Sequence, residues 1–402
     1  MIRHSTTIAG RAGRLTAGAA AIAFVLARPL AAQSPRIPSR AAPTFASIGS
    51  YLSAEVDSGA FPSAVLLVGS HDSIVDLQAI GHYGDEDPRP VADTTVYDMA
   101  SLTKVIGLTT AAMILVSEGK LDLDRPVHDY LPAFSGPEKD RVLIRHLLTH
   151  SSGLPADRPL YLETSTRRQA LALVDSTPLD TVPGARFVYS DLGAIVLMQV
   201  IEKIAGEPLN VYLQQHVFGP LGMTRTRYLP PASWIPFIAP TEHDPWRGRE
   251  LRGEVHDENA ARLGGVSGHA GLFSNAPDLA RFAFFLLDAW HDRLPADAPL
   301  KIPSRIVRMF TTRQNLPPGS SRALGWDTSD HDGGSSGHLL SNVAFGHTGF
   351  TGTSIWIDPA TDLVIILLTN RVNPTRLNHA ILHVRSQVAD RVVEALGDAG
   401  TH

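Results

Sequence analysis

The chain has no cysteine among its 402 residues. This absence excludes disulfide bonds, lipidated cysteines and thiolate chemistry. Stability must then come from a buried core, and a composition with 44% apolar and 19% charged residues is ordinary for a globular protein that has one. The chain also lacks an internal repeat, so one large domain or two interleaved domains fit its length.

An excess of positive charge is lacking as well, except at the N-terminus. Residues 1–32 contain four arginines and no acidic residue, and without them 31 basic residues face 40 acidic ones, a formal charge of −9. Such a surface does not attract the phosphates of nucleic acid. We therefore expect no nucleic-acid partner.

The first 32 residues differ in composition from the rest of the chain. Three arginines precede an apolar run at residues 15–27, and small residues at 30–32 offer a cleavage site before Gln33. This order predicts a secretory signal peptide over residues 1–32, followed by a proline- and arginine-containing spacer over residues 33–44. We therefore expect a periplasmic or secreted protein.

A transmembrane anchor is the alternative interpretation of the same apolar run. The run is shorter than the roughly 20 residues that a membrane span requires, and Arg28 and Pro29 interrupt it. We therefore expect no stable membrane span after processing.

The two ends of the remaining chain have the patterns of helices and strands. Apolar residues recur at helical spacing over 45–56, and two β-rich runs at 64–68 and 73–80 follow with a turn between them. Near the C-terminus, β-rich runs at 352–357 and 363–369 flank a second turn, and apolar residues over 377–396 mark a terminal helix. Each end therefore supplies a helix and at least two strands.

The middle of the chain is predicted to be mainly helical. Apolar stretches of helical character lie at residues 143–148, 171–174, 192–204 and 277–290, whereas residues 229–271 are only weakly periodic. The whole pattern predicts an α+β domain over residues 45–398. Its antiparallel sheet is built from both chain ends, 45–98 and 336–398, with flanking terminal helices and a large helical insertion over 99–335.

The segment YDMASLTK at residues 97–104, followed by an apolar stretch at 105–115, has the pattern of a nucleophilic site. Ser101 and Lys104 are three residues apart, so in a helix they share one face and can share a proton. A serine hydroxyl needs such a neighbouring base to become a nucleophile. Free backbone N–H groups in the first helical turn would also favour the anion that forms during acyl transfer.

A second Ser-x-x-Lys pair, Ser117 and Lys120, provides an internal comparison. This pair lies at the far end of the same predicted helix, where Gly119 is a stop signal. Its serine would face the negative helix pole without free N–H donors. We therefore expect only the pair of Ser101 and Lys104 to be functional.

Two further stretches contain residue types that hydrolases use. Tyr189, Ser190 and Asp191 open a predicted helix, and the segment GHTGF at residues 346–350 opens the C-terminal hairpin. Taken singly, Tyr189 has the pattern of a half-buried core tyrosine and Thr348 that of a solvent-facing strand hydroxyl. His150, at the end of a helix, is predicted to have a capping or packing role.

The order and spacing of these segments over about residues 45–396 resemble the serine β-lactamase and penicillin-binding-protein superfamily. The similarity is to its branch of class C β-lactamases and D-alanyl-D-alanine carboxypeptidases. Residues 148–155 (LTHSSGLP) and 268–274 (GHAGLFS) also match. Residues 255–260 (VHDENA) look like the mark of a subgroup that contains periplasmic carboxypeptidases and modules fused to glycosidases.

This resemblance implies a β-lactamase/transpeptidase-like fold and roles for individual residues. Ser101 would attack an acyl carbon, while Lys104 and Tyr189 would share the role of general base and later protonate the leaving group. The backbone N–H groups of Ser101 and Phe350 would bind the oxyanion, and each such donor typically contributes about 3 kcal/mol to transition-state stabilisation.

The resemblance also implies how the segment at residues 346–350 would treat a substrate. His347 would help to hold a substrate carboxylate or tune Tyr189. Thr348 would supply a hydroxyl donor, and Gly349 would let the substrate backbone approach closely.

The sequence departs from the family pattern at two positions. Asp191 stands where asparagine is commonest, and an ionised carboxylate can only accept hydrogen bonds. His347 stands where many β-lactamases have lysine, and an unperturbed histidine is charged only below about pH 6.5. Both departures argue against potent β-lactamase activity.

A metal site is the alternative interpretation of a group of histidines and acids. Imidazole and carboxylate suit zinc, and the group comprises His243, Asp244, His256, Asp257, Glu258 and His269. The helical spacing His-x-x-x-His does not occur within this group, and the stretch has a counterpart in the family. We therefore expect no metal and no cofactor.

We expect an exported serine hydrolase that forms an acyl-enzyme on a small-molecule or peptide acyl substrate. A D-Ala-D-Ala carboxypeptidase-like or esterase activity on cell-wall-derived or small acyl compounds fits best. A class C-type β-lactamase is one alternative, and a penicillin-binding sensor that acylates without turnover is another. The sequence does not distinguish efficient deacylation, which separates an enzyme from a sensor, and it gives no oligomeric state.

Overall fold

A seven-stranded antiparallel sheet is the centre of the fold in a computed structural model of the chain. From edge to edge, the order is β3 (Asp87–Pro90), β2 (Ser73–Gly84), β1 (Ser63–Ser70), β12 (Leu363–Thr369), β11 (Ser354–Asp358), β10 (Phe345–Thr348) and β9 (Asp327–Thr328). The N-terminal strand β1 pairs with the C-terminal strand β12 over seven residues, from Ala64 opposite Thr369 to Ser70 opposite Leu363. Both predicted hairpins and the assembly of the sheet from both chain ends are confirmed.

The two faces of the sheet pack against different layers. Val65 and Leu67 of β1 belong to the core shared with the middle of the chain, whereas Leu66 and Val68 face the terminal helices α1 (Ala46–Asp57) and α12 (Ile381–Ala399). All four side chains are fully buried, and burial of a side chain of this size stabilises the fold by about 1.5–3 kcal/mol. The continuous apolar run in β1 therefore reflects burial on both faces.

The middle of the chain folds into helices, of which Ala276–Trp290 packs directly on β1 and β12. They are α2 (Thr110–Ser117), α3 (Val127–Tyr130), α4 (Ile144–Leu148), α5 (Leu160–Glu163), α6 (Arg167–Ser176), α7 (Asp191–Ala205), α8 (Leu209–Leu213), α9 (Glu258–Arg262), α10 (Ala276–Trp290) and α11 (Ser304–Thr311). π-helical turns at Lys104–Thr109 and Gln214–Phe218 and 3₁₀ turns at Lys139–Arg141 and Ala232–Phe237 complete this part.

Short strands interrupt the stretch that the sequence predicts to be helical. The strands β4 (Tyr97–Asp98), β8 (Leu272–Ser274) and β5 (Arg227–Tyr228) form a small sheet, and β6 (His243–Asp244) pairs with β7 (Arg249–Glu250). In addition, β9 joins the central sheet from within residues 99–335. Strands of two or three residues are too short to leave an alternating pattern in the sequence.

The terminal helix begins later than the sequence predicts. Its first residue is Ile381, whereas Leu377 precedes it and is 77% exposed. Just before the helix, the side chain of Asn378 accepts a hydrogen bond from the backbone N–H of Ala380. Such a side-chain bond competes with helix formation and favours a turn at this position.

The structure describes Met1 and residues 45–399, and every element above belongs to the unit Gln33–His402. The predicted signal peptide and spacer at residues 1–44 lie outside this range except for Met1. Among the described residues, no helix is both long enough and apolar enough to cross a membrane.

Candidate active site

Ser101 and Lys104 lie at the start of a helix, as the sequence predicts. The Lys104 ammonium group donates a hydrogen bond to Ser101 Oγ at 2.9 Å. Ala100, just before the serine, has a φ of +44°, and the backbone from Lys104 to Thr109 is π-helical. A positive φ in a non-glycine residue and a π-helical turn are both strained features that cluster at functional sites. The local backbone is therefore not the regular α-helix of the prediction.

Lys104 is 2% exposed and surrounded by acceptors. Its Nζ atom lies 2.9 Å from Ser101 Oγ, 2.7 Å from Asp191 Oδ1 and 3.3 Å from the backbone oxygen of His269. Three acceptors match the three protons of an ammonium group. Burial acts to lower the pKa of Lys104, but Asp191 and Tyr189 together outweigh burial and raise this pKa above its usual value. Lys104 is therefore protonated, without a lone pair to take the Ser101 proton.

Tyr189 provides the other group that could take this proton. The centroid of its ring lies 4.8 Å from Lys104 Nζ, and its buried hydroxyl has no hydrogen-bond partner among the described residues. The ring of His150 packs beside it at 4.4 Å between centroids, while His150 Nδ1 accepts a hydrogen bond from the Ser190 backbone N–H at 3.1 Å. The packing role predicted for His150 is thus confirmed, and Tyr189 is fixed beside Lys104.

Asp191 is the first residue of α7 because Ser190 caps this helix. Ser190 Oγ accepts a hydrogen bond from the Gly193 backbone N–H at 3.1 Å and donates one to the Pro155 oxygen at 2.6 Å. A serine cap and an acid in the first turn are typical of a helix N-terminus. The helix start predicted at Tyr189, Ser190 and Asp191 is therefore confirmed, and it directs Asp191 toward Lys104.

His347, on β10, has a different charge state from the one expected from the sequence. Burial, Arg322 and Lys104 together hold its pKa well below the usual value. Its Nδ1 atom donates to the Thr348 oxygen at 2.8 Å, so in the neutral ring Nε2 is an acceptor, and this buried atom has no partner among the described residues. The expected role of a charged His347 in holding a carboxylate is therefore revised to that of a neutral acceptor.

The turn between β10 and β11 is hydrogen-bonded to the segment that precedes Ser101. Thr351 Oγ1 donates to the Asp98 oxygen at 2.7 Å, and Thr353 Oγ1 donates to the Met99 oxygen at 3.1 Å. Among the described residues, the backbone N–H groups of Ser101 and Phe350 have no hydrogen-bond acceptor. The turn thus holds two free donors in the same part of the fold, as an oxyanion site requires.

Gly349 is required by packing within the protein, which differs from the role that the sequence predicts. A Cβ atom at this position would lie 2.1 Å from Thr353 Oγ1 and 2.5 Å from the Met99 oxygen. Contacts this short do not occur in folded proteins. The missing side chain therefore lets the turn approach the segment before Ser101.

Gly349→Ala is expected to lower both thermal stability and acylation rate. The added methyl must displace the turn from Met99, and overpacking of this kind costs about 1–3 kcal/mol. Gly397→Ala is the matched control, because nothing lies within 4 Å of an added Cβ there. Thermal unfolding and the rate of reaction with a serine-directed probe would be measured for both. A Gly349→Ala protein that matches the parent in both measurements would contradict this assignment.

A cavity of about 400 Å³ contains six of the predicted residues. It is lined by Ser101, Tyr189, His347, Thr348, Gly349 and Phe350, together with Arg322, Asp327, Arg371, His379, Ile381, Leu382 and Arg385. Lys104 and Asp191 adjoin it through their contacts with Ser101 and with each other. The structure therefore brings all eight predicted site residues together.

Three arginines of this cavity have no counterpart in the sequence predictions. Arg371 Nε donates to the Phe350 oxygen at 2.7 Å, and Arg385 Nη2 donates to the Gly349 oxygen at 2.7 Å. Neither forms a salt bridge with a described residue, and burial together with Arg371 lowers the pKa of Arg385 to about 9. Arg322 lies 3.5 Å from Asp327. The cavity thus has an excess of positive charge that attracts anionic groups.

The second Ser-x-x-Lys pair has no such surroundings. Ser117 Oγ donates to the Ile114 oxygen at the end of α2, and Lys120 is an exposed residue paired with Glu118 at 2.9 Å. The structural expectation for this pair, a helix end without the geometry of a nucleophile, is confirmed.

A second ion pair lies beside Lys104 and Asp191. His269 Nε2 is 2.8 Å from Asp257 Oδ1, and atoms of Asp191, Asp257 and His269 lie within 4.8 Å of one another, close enough to surround a cation. Burial acts to lower the pKa of His269, but the Asp257 and Asp191 carboxylates together outweigh burial and raise this pKa, so Lys104 and His269 provide two positive charges for two carboxylates. Lys104, Asp191, Asp257 and His269 therefore form one network of alternating charges.

Sequence and structure comparisons identify proteins that are similar to this chain. The family model described as Beta-lactamase matches residues 48–389. A protein of Escherichia coli (strain K12), provisionally named a D-alanyl-D-alanine carboxypeptidase, is 35% identical over 358 residues, 80% of this chain and 81% of its own length. An N-acetylmuramyl-L-alanine amidase of Bacillus subtilis (strain 168) is 35% identical over 350 residues, 77% of each chain. A class C beta-lactamase structure superposes with a TM-score of 0.70 at 18% identity, covering 88% of this chain and 96% of its own, which shows a shared fold.

Proposed function

The chain belongs to the beta-lactamase family and is a serine hydrolase, and from this premise we propose that it cleaves amide bonds in cell-wall-derived peptides through an acyl-enzyme on Ser101. The contact between Lys104 Nζ and Ser101 Oγ at 2.9 Å, in a buried position, is the observation that carries the proposal. An exposed lysine would not be held in one position beside a serine hydroxyl. Ser101 also lines the cavity together with Phe350, whose backbone N–H has no acceptor among the described residues.

Acylation would begin with attack of Ser101 Oγ on the substrate carbonyl. Only the phenolate form of Tyr189, beside the Lys104 ammonium, takes the serine proton while the new C–O bond forms. The backbone N–H groups of Ser101 and Phe350 hold the oxyanion, each worth about 3 kcal/mol in the transition state. The phenol then gives its proton to the leaving nitrogen as the C–N bond breaks, and water hydrolyses the acyl-enzyme in a second step.

The cavity favours a substrate that carries an anionic group next to the cleaved amide. Arg371 and Arg385 place unpaired positive charge at the turn that supplies Phe350, and neutral His347 offers an acceptor to a substrate N–H. The relatives named as a carboxypeptidase and as an N-acetylmuramyl-L-alanine amidase act, by name, on amide bonds. We therefore propose a carboxypeptidase-like or amidase activity on peptides with a free carboxylate.

An esterase activity is the second candidate, and Asp191 favours it. This side chain is ion-paired with Lys104 at 2.7 Å, so it cannot donate to an amide carbonyl as asparagine would. Simple esters depend less on such a donor. A class C-type β-lactamase or a sensor that acylates without turnover would use the same Ser101.

A substrate panel tests these alternatives. We expect the protein to hydrolyse an acyl-D-Ala-D-Ala peptide or an N-acetylmuramyl-L-alanine peptide faster than a chromogenic cephalosporin, with a p-nitrophenyl ester as the positive control. Asp191→Asn should raise the amide-to-ester rate ratio by about tenfold, because it supplies a donor worth roughly 1.4 kcal/mol. Turnover of esters alone would favour the esterase, and stable acylation without turnover would favour the sensor. An unchanged ratio in Asp191→Asn would contradict a selectivity role for Asp191.

We also propose that the protein is exported, on the basis of its basic N-terminus, short apolar run and small residues before Gln33. The exported form is expected to begin near Gln33. N-terminal sequencing of protein recovered from the periplasm or medium of a bacterial host checks this prediction. A membrane-bound form that retains residues 15–27 would contradict it.

A further inference from the structure

The ion pair of Asp257 and His269 reaches Lys104 through two routes. The first is the backbone: the His269 oxygen accepts one of the three Lys104 hydrogen bonds, at 3.3 Å. The position of this oxygen is fixed by the His269 side chain, whose Nδ1 lies 2.8 Å from Ser267 Oγ and whose Nε2 lies 2.8 Å from Asp257 Oδ1. The side chain of His269 thus holds an acceptor against the lysine.

The second route is electrostatic. Asp191 and Asp257 have carboxylate oxygens within 4.8 Å of each other, so two negative charges would repel strongly without a cation between them. His269 supplies that cation on one side and Lys104 on the other. Loss of the His269 charge would therefore leave more repulsion between Asp257 and Asp191, the carboxylate that Lys104 contacts.

Asp257 is well placed to anchor this arrangement. Its carboxylate also accepts a hydrogen bond from the Ala260 backbone N–H at 2.7 Å and caps α9. Asp257, which holds the His269 side chain, is therefore itself fixed by the N-terminus of α9. Asn259, two residues later, bonds the Asp157 side chain at 2.8 Å and the Arg158 oxygen at 2.9 Å, which ties α9 to the preceding loop.

We propose that Asp257 and His269 are positioning residues for acyl transfer: their ion pair holds the Lys104 ammonium on Ser101. The proposal rests on the proposed function of Ser101 as the acylated residue. The charged groups that face His269 are Asp257 from α9, Asp191 from α7, Lys104 from the π-helical turn and the part-buried Asp157. Neither Asp257 nor His269 contacts the cavity that would receive the substrate.

The sign of the expected pH dependence follows from the neighbours of His269. Its pKa is raised above the usual 6.5, because the Asp257 and Asp191 carboxylates outweigh burial. His269 is therefore fully charged below pH 6.5 and loses its charge as the pH rises through its raised pKa. Acylation should decline over that alkaline range, in addition to any effect of Tyr189.

Two charge-removing variants test the proposal. His269→Gln keeps a donor for Asp257 but cannot be charged, so we expect acylation by a p-nitrophenyl ester to fall about tenfold or more, because misplacement of a catalytic group is costly. Its pH profile should lack the alkaline decline. Asp257→Asn keeps an acceptor for His269 but removes the counter-charge, which should move the decline to lower pH by about one unit or more.

His291→Gln is the matched control, because His291 lies 3.0 Å from Asp362, in the turn before β12 and away from the cavity. Its profile should match that of the parent. A side-chain NMR titration of ¹⁵N-histidine-labelled protein provides a readout that does not depend on turnover. The imidazolium of His269 should persist above pH 6.5 in the parent and to a lower pH in Asp257→Asn.

Several outcomes would overturn the positioning role. One is a parent protein whose acylation rate shows no alkaline decline. Another is a loss of acylation rate that is equal at every pH in both variants, as a purely structural defect would give. A His269 titration at or below pH 6.5 would do the same. If His269→Gln does not fold, Asp257→Asn and the NMR titration decide. A parent that no probe acylates at Ser101 would instead overturn the proposed function, and the positioning role with it.

Discussion

Ser101→Ala is expected to abolish turnover of every substrate that the parent hydrolyses. The variant keeps the cavity but removes the atom that forms the acyl-enzyme, and loss of a serine nucleophile typically costs at least about ten-thousandfold in rate. Ser101 is half-buried and its partner Lys104 keeps Asp191 and the His269 oxygen as acceptors, so we expect the fold to persist. Initial rates and thermal unfolding of the parent and the variant check both expectations.

Ser117→Ala is the matched control for this experiment. It alters the serine of the second Ser-x-x-Lys pair, whose hydroxyl donates to the Ile114 oxygen and to no other described residue. Rates should match those of the parent within about twofold, as is usual for a surface substitution away from a site. Residual turnover in Ser101→Ala above about one per cent of the parent rate would contradict the assignment of the nucleophile.

Lys104→Ala and Tyr189→Phe should each lower the acylation rate by about a hundredfold or more, the usual range for a positioned acid–base group. In the double variant we expect a loss of acylation rate much smaller than the product of the two single losses, because both residues serve one proton transfer. The two single variants should differ in thermal stability. Lys104→Ala leaves the Asp191 carboxylate without its partner, whereas Tyr189→Phe removes a buried hydroxyl that has no partner in the described structure.

Tyr189→Phe is therefore expected to keep or raise the unfolding temperature while it loses acylation rate, which is the signature of a functional group. Lys120→Ala controls for the loss of a lysine charge, because Lys120 is exposed and forms an ion pair with Glu118. Stopped-flow acylation rates and thermal melts provide the measurements. A Tyr189→Phe protein that acylates within about threefold of the parent rate would show that the phenol is not the base.

The Ser101–Lys104 contact was predictable because it is local. The Lys104 backbone N–H donates to the Ser101 oxygen at 3.0 Å, which closes a turn of the 3₁₀ type. Residues three apart lie on the same side of such a turn, as they do in an α-helix, so the prediction did not depend on the exact helix. The strands at both chain ends were also predictable, since long apolar runs such as β1 reflect burial on both faces.

The charge states of the site could not be read from local sequence. His347 is neutral because Arg322, Lys104 and burial act on it together, and these groups come from distant parts of the chain. Lys104 is protonated because α7 brings Asp191 to it. Spacing in the sequence carries no information on such encounters.

The cationic side of the cavity was missed for a similar reason. Arg371 follows β12 and Arg385 lies within α12, and each resembles an ordinary surface arginine in sequence. Only the fold turns both toward the backbone oxygens of the turn that contains Gly349 and Phe350. Asp257 and His269 were noticed in the sequence as metal-type residues, but their pairing across α9 became visible only in three dimensions.

The measurement that tests the central claim most directly is the site of covalent modification in the parent protein. The mature chain would be treated with a fluorophosphonate or a chromogenic cephalosporin, digested and mapped by mass spectrometry. The account predicts a single adduct on the peptide that contains Ser101, absent from Ser101→Ala and unchanged in Ser117→Ala. An adduct on any other residue, or hydrolysis of the substrate panel without an adduct on Ser101 at any stage, would contradict it.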